Sequence, residues 1–247
     1  MTHEVRVFGL QGVPEVEPGD DLAALLVEAA TRAGGLEDGD VVVVAQKIVS
    51  KSEGRIVRLE DVVASLRAVE LAGDRDPRHV QVILDESARV VRSRPPLVIS
   101  ETHHGFVCAS AGVDASNAKG EGTLILLPLD PDASAARIRD GLREGTGREV
   151  GVIVSDSFGR AWRQGTTEVA LGVAGLTALL DLNGRLDAAG YELHATVVAR
   201  ADELASAAEL VMGKLERVPA AAIRGVDAAG AGSGRDLVMP PERDLFR

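Results

Sequence analysis

The run VVVVA at Val41–Ala45 constrains this chain more than any other feature. It shows no apolar/polar alternation and is almost entirely β-branched, so it reads as a continuous buried strand. Asp38–Gly39–Asp40 before it is a turn signal. A second apolar run, 149–155, reads as a strand whose end delivers Asp156. Shorter strands are expected at 5–8 and 123–127, an extended segment at 95–100, and a strand running into a loop at 104–114. An alternating strand is expected at 191–199, and 168–174 fits a strand or a helix.

Helical periods lie between these runs. Asp20 and Asp21 precede LAALLVEAATRA as an acidic cap, and Gly34–Gly35 ends that helix. Helices are also expected over 60–72, over 77–91 with Pro77 in its first turn, from Asp130–Pro131 to about Glu144, and over 201–212. Residues 226–235 are rich in Ala and Gly and read as a loop. Strands and helices alternate without a clean βαβ rhythm. The fold class is therefore α/β or α+β with a mixed sheet, and not a doubly wound Rossmann fold. With 247 residues, the chain fits one domain over 1–247, built as a single unit or as two lobes.

Charge and composition exclude several functions. Lys+Arg is 27 against Asp+Glu 38, a net charge of −11, which argues against partners such as nucleic acid or an anionic membrane. Aromatics are 2% of the chain, too few to stack single-stranded bases. Cys108 is the only cysteine, so there is no disulfide framework and no Cys-rich zinc site. No signal peptide opens the sequence, and no stretch approaches the roughly 20 apolar residues of a membrane span. The expected location is the cytoplasm.

Four segments carry chemistry. No phosphate loop of the G-x-x-x-x-G-K-[ST] type, no zinc helix of the H-E-x-x-H type and no G-x-S-x-G elbow is present. In AGVDASN, Asp114 and Asn117 follow a strand, and either hold a hard cation or close an Asx-turn. In GVIVSDSFGRAWRQG, a carboxylate and two hydroxyls emerge together at Ser155–Asp156–Ser157, as magnesium ligands beside a phosphate often do. Arg160 and Arg163 follow, with the fork geometry that suits phosphate or carboxylate. AQKIVSKSEGR places Lys47 and Lys51 directly after VVVVA, as point charges for polyphosphate or as a solvated hairpin end. ADELASAAELVMGK ends in Met212–Gly213–Lys214, a C-cap glycine or an approach to a nucleotide. His103–His104 lacks partners for a metal set and reads as structural. Two carboxylates, lysines and arginines without a covalent nucleophile fit phosphoryl transfer from a nucleotide, and fit hydrolysis at a metal centre nearly as well.

These segments, with GVPEVEPGDDLA, ETHHGFVCASAGVDASN and LLPLDPDASA, resemble in order the coenzyme F420-0:L-glutamate ligase (F420:γ-glutamyl ligase) family over nearly the whole chain. The resemblance implies a GTP-dependent enzyme that adds L-glutamate to F420-0, then γ-linked glutamates, through an acyl phosphate. It implies Mg2+ or Mn2+, help from K+, and a homodimer of an unusual mixed α/β fold. On that resemblance Val13, Pro14, Glu15 and Val16, then Gln46, Lys47, Lys51 and Asn117, and the helix exit at Met212, Gly213 and Lys214, contact GTP. Asp114, Asp156 and Ser157 take the metal positions, and Asp114, Asp156, Lys51 and Arg160 are expected to carry catalysis. Gln46 replaces a family serine, and Lys214 stands where a metal-contacting glutamine is common. Arg160, Arg163 and His104 are candidates for the acceptor surface. Some actinobacterial relatives carry a nitroreductase-like domain after this region. The sequence ends at Arg247 after PPERDLFR, and the expected type is the one without it. A metal-dependent GTP phosphohydrolase or kinase, and a non-catalytic nucleotide-binding module, are the competing readings.

Overall fold

A computed structural model of the protein describes residues 4–116, 118 and 120–246. The strands and helices, in chain order, are β1 (Arg6–Gly9), α1 (Leu22–Arg32), β2 (Val41–Ala45), α2 (Gln46–Ser52), β3 (Ile56–Arg58), α3 (Leu66–Ala72), α4 (Pro77–Asp85), β4 (Ser87–Arg94), β5 (Leu97–Thr102), β6 (Val107–Ala109), β7 (Thr123–Ile125), α5 (Pro131–Thr146), β8 (Gly151–Arg160), β9 (Arg163–Ala174), β10 (Leu180–Asp181), β11 (Val197–Val198), α6 (Arg200–Met212) and β12 (Ala220–Arg224). Asn117 lies outside the described residues.

VVVVA becomes the middle strand of a five-stranded mixed sheet ordered β1-β12-β2-β8-β9. Only β2 and β8 run parallel; the other pairs are antiparallel. Val42 and Val44 pack with Val152, Val154, Ala220 and Ala222 against α1 and α5. Val41 and Val43 pack with Ile153, Ala221 and Ile223 against α6. Helices on both faces are the reason the run has no polar positions. Each buried valine contributes about 1.5–3 kcal/mol, so a charge at Val43 would break the sheet centre. The expected caps are present. The Asp21 carboxylate accepts from the Ala24 amide, and that of Asp130 accepts from the Ala133 amide ahead of Pro131.

The β8–β9 hairpin carries a register shift, with Val154 opposite Gly172 but Ser155 opposite Ala170. Leu171 is the extra residue of this bulge. Gly172 is required there, because a Cβ would come within 2.0 Å of the Pro131 carbonyl oxygen at the start of α5. Asp202 accepts from the Ala170 amide at 2.9 Å and pins the bulge to α6.

A second apolar cluster joins α3 and α4 to β5 and β7 through Ala68, Leu71, Val80, Ile83, Val98, Val113, Leu124 and Leu126. Two smaller antiparallel sheets, β4-β5-β6 and β3-β7, frame it. No helix among the described residues is long and apolar enough to cross a membrane.

Several expected elements change here. The helix expected over 77–91 stops at Asp85, and β-branched Val90 and Val91 lie in β4, paired with β5. The helix expected over 60–72 begins at Leu66, where the Ser65 hydroxyl accepts from the Ala68 amide. The bland hairpin end considered for 45–55 is instead the helix α2. The ambiguous 168–174 is strand, while only Val197–Val198 of 191–199 is. β12 was not legible in its sequence, AAAIR.

At the starting end of β2, Asp40 is almost wholly buried. Both of its oxygens accept from Arg224, at 2.9 and 2.7 Å, and Oδ2 also accepts from the Glu37 amide.

Candidate active site

Parallel pairing sets Ala45 beside Ser155 at the finishing ends of β2 and β8. The next residues therefore emerge together. In open α/β sheets this crevice is where ligands bind. Lys47, in the first turn of α2, reaches Asp114 Oδ2 at 2.8 Å and Asp156 Oδ1 at 4.0 Å. Asp114 arrives from the second cluster, through paired backbone hydrogen bonds with Ile125 of β7. Its carboxylate also accepts from the amide and hydroxyl of Ser116, so the Asx-turn and the charged contact coexist.

Across the hairpin Ser157 faces Glu168. The Ser157 hydroxyl donates to Glu168 Oε1 and accepts from Lys214 Nζ, which lies 3.9 Å from that same oxygen. Glu168 was not singled out in the sequence. The available signal was a lone acid inside TTEVALGVA, a strand that otherwise turns apolar.

The charges are unevenly compensated. Burial pushes the Asp156 carboxyl up to about 6. Lys47 and the Ser157 amide pull against that shift, while Glu168 and Asp114 add to it. Burial also raises Asp114, but the Lys47 hydrogen bond and charge, with the Ser116 contacts, bring it below the ordinary carboxylate range. Burial disfavours the Lys47 ammonium, yet Asp156 and Asp114 outweigh it and hold this group above its ordinary value. Burial, with the Asp156 charge, pushes the Cys108 thiol up to about 12, so it carries no thiolate at neutral pH.

Gln46 and Ser155, both buried, stand at the same strand ends. Gln46 Oε1 accepts from Ser50, while Gln46 Nε2 and Ser155 Oγ make no hydrogen bond among the described residues. One turn along α2, Lys51 is buried and donates to Glu15 at 2.5 Å. The segment carrying Val13, Pro14, Glu15 and Val16 is thereby fastened to the helix that bears Lys47. The Gly19 amide, which donates to the Ser52 carbonyl, fastens it again. Val16 is buried in the α1–α5 cluster. Met212 is a core residue under the sheet, and Gly213, at φ 59°, turns the chain so that Lys214 meets Ser157.

Other expected residues fall elsewhere. Arg160 is exposed at the tip of the β8–β9 hairpin, donating to the Gln164 carbonyl at 2.8 Å. Four strand residues beyond Asp156, roughly 13 Å along the chain, it is not brought to the Lys47–Asp156 pair. Arg163 shares that tip. His103 and His104 contact main-chain carbonyls, His104 Nε2 that of Pro128 at 2.9 Å, in keeping with a structural role.

Among the described residues, no three carboxylate, imidazole or thiol groups converge as a ready metal cage. The donors at hand are nonetheless hard oxygens. Asp156 is a largely buried carboxylate whose charge burial disfavours and which Lys47 approaches only to 4.0 Å. Asp114, Asp156 and Ser157 therefore fit Mg2+ or Mn2+, and not a soft metal.

The sequence profile described as F420-0:Gamma-glutamyl ligase matches residues 12–225. The chain belongs to that family. It is similar to the coenzyme F420:L-glutamate ligase of Methanothermobacter thermautotrophicus, with 46% identity over 98% of this chain and 99% of the relative. The enzyme of the same name from Methanocaldococcus jannaschii is 44% identical, over 99% and 97%. That from Archaeoglobus fulgidus is 43% identical, over 98% and 96%. The protein is thus an enzyme of the ligase class. Its mixed α/β sheet is neither a Rossmann nor a P-loop fold.

Proposed function

We propose that this ligase joins L-glutamate to coenzyme F420-0 and then extends the product by γ-linked glutamates, in coenzyme F420 biosynthesis, with GTP as the phosphoryl donor. Relatives named for glutamate ligation to coenzyme F420 match over nearly their whole length. The observation that carries the mechanism is the pairing of a silent thiol with a charged crevice. Burial pushes the Cys108 thiol up to about 12, which supports a route without a cysteine nucleophile.

In this reading GTP activates the acceptor carboxylate. Its γ-phosphoryl group goes to a carboxylate oxygen and leaves GDP. The glutamate amine attacks the acyl carbon, phosphate departs and an amide forms. The chain's contribution is positioning and charge. In this reading residues 13–16, Gln46, Lys47, Lys51, Asn117 and the exit from Met212 hold the nucleotide. Asp114, Asp156 and Ser157 would hold Mg2+ or Mn2+, which supplies charge neutralisation on the phosphates. K+ belongs to the same charge balance. Arg160, Arg163 and His104 belong to the surface that takes the anionic acceptor, which places Arg160 on the substrate rather than on the reacting atoms. A homodimer in the cytoplasm is the proposed state.

Mass spectrometry of F420-0 incubated with GTP, Mg2+ and glutamate tests this. The expected product is heavier by one glutamyl residue, then by more, with GDP and phosphate released only when both substrates are present. Phosphate release that ignores F420-0 and glutamate would identify a phosphohydrolase instead.

A further inference from the structure

The crevice has two acidic sides, and they are compensated differently. Among the described residues, Asp114 and Asp156 share the Lys47 ammonium, at 2.8 and 4.0 Å. Glu168, only 5% exposed, is paired with a different ammonium. Lys214 Nζ lies 3.9 Å from its Oε1 and donates to Ser157 Oγ, which in turn donates to that carboxylate. A buried carboxylate requires such a partner. The backbone directs Lys214 there: Gly213 ends α6 with φ 59°, and a Cβ at that point would lie 2.0 Å from Glu216 Oε2. Among the described residues, Asp114, Asp156 and Glu168 face Lys47 and Lys214, and Lys214 stands on the Ser157–Glu168 side.

An ammonium bound to Ser157 and Glu168 cannot share them with a metal ion. It has no lone pair to offer, and like charges at that separation repel. We propose that Lys214 acts as a built-in cation at Ser157 and Glu168, so that this chain takes up one divalent ion, at Asp114 and Asp156, and no second one. In consequence Ser157 is a ligand of that one ion or a partner of Lys214, but not the anchor of a separate site. The inference rests on the divalent-ion reading of the site given above.

Counting bound Mn2+ by the loss of its free aqueous EPR signal tests it without reference to turnover. The purified protein is titrated without nucleotide, since GTP itself binds Mn2+ and removes the same signal. The wild type should bind one Mn2+ per chain, Lys214→Gln two, and Lys214→Arg one. The double variant Lys214→Gln/Glu168→Gln should return to one, because the second site has lost its carboxylate. Lys214 is well exposed, and matched melting curves confirm that its variants fold. Two ions in the wild type, or one in Lys214→Gln, would overturn the proposal while leaving the divalent-ion reading intact. No bound Mn2+ in any of the proteins would overturn both.

Discussion

The two ends of the β2–β8 strand pair treat buried charge in opposite ways. At the starting end, Asp40 is held by both forks of Arg224 and by the Glu37 amide, and the Arg224 guanidinium also reaches the Gly35 carbonyl and Glu37. At the finishing end, Lys47 is divided between two aspartates, while Gln46 Nε2 and Ser155 Oγ have no partner among the described residues. The same strands therefore carry a closed network at one end and an open one at the other. Closed networks of this kind serve the fold, and open ones keep capacity for a ligand.

Breaking the closed end should give the largest effect. Asp40→Ala leaves Arg224 without its bidentate partner and should cost about 3–5 kcal/mol of stability, read as a lower urea midpoint. Ligase activity per folded molecule should survive; an activity loss beyond the unfolded fraction would erase the distinction between the two ends. At the open end the balance reverses. Asp114→Ala and Asp156→Ala should each lower ligation by about 100-fold or more, roughly 3 kcal/mol of transition-state stabilisation, in protein that melting curves show to be folded. Wild-type turnover in either variant at limiting Mg2+ would remove that residue from the site.

A third test uses pH. The Asp156 carboxyl is raised in the folded state to about 6 from 3.8. The native state thus binds its proton more tightly than the unfolded chain does, and at higher pH it bears a disfavoured charge. Asp156→Asn should therefore stabilise the metal-free protein by on the order of 2 kcal/mol above pH 6. The gain should fade as pH falls from 6 toward 4, where the parent carboxyl is protonated as well. A gain independent of pH would point to packing rather than charge. The smallest expected effects concern Lys51. Lys51→Ala should raise the GTP concentration needed for half-maximal rate by about tenfold, with little rescue by Lys51→Arg. Glu15→Gln, which frees Lys51 and leaves the main chain of residues 13–16 to hold the nucleotide, should lower it by about two- to threefold.

What could be read in advance follows from the range of the interaction. VVVVA, the apolar lead into Asp156, and the Asp21 and Asp130 caps are local patterns, and they were legible. α2 was not, because IVS between two lysines carries no helical period long enough to see. β12 is built from alanines with little strand preference, and becomes a strand by lying between β1 and β2. Asp114, Asp156, Lys47 and Lys51 were visible as strand-end polar groups. Their actual partners were not, since Lys47 and Asp114 are 67 residues apart and Asp40 and Arg224 are 184 apart. Glu168 needed the hairpin register before its burial beside Ser157 could be seen.

The Lys51–Glu15 clasp sets a threshold for whatever anion comes to that lysine. Because the lysine is already paired, an arriving anion exchanges one carboxylate for itself and gains only the difference in attraction. A chloride or a lone carboxylate gains almost nothing by the exchange. A phosphate chain gains from its greater charge and its additional oxygens. The loop that carries Glu15 is thus a competitor as well as a wall, and ordinary cellular anions meet a lysine that is already occupied.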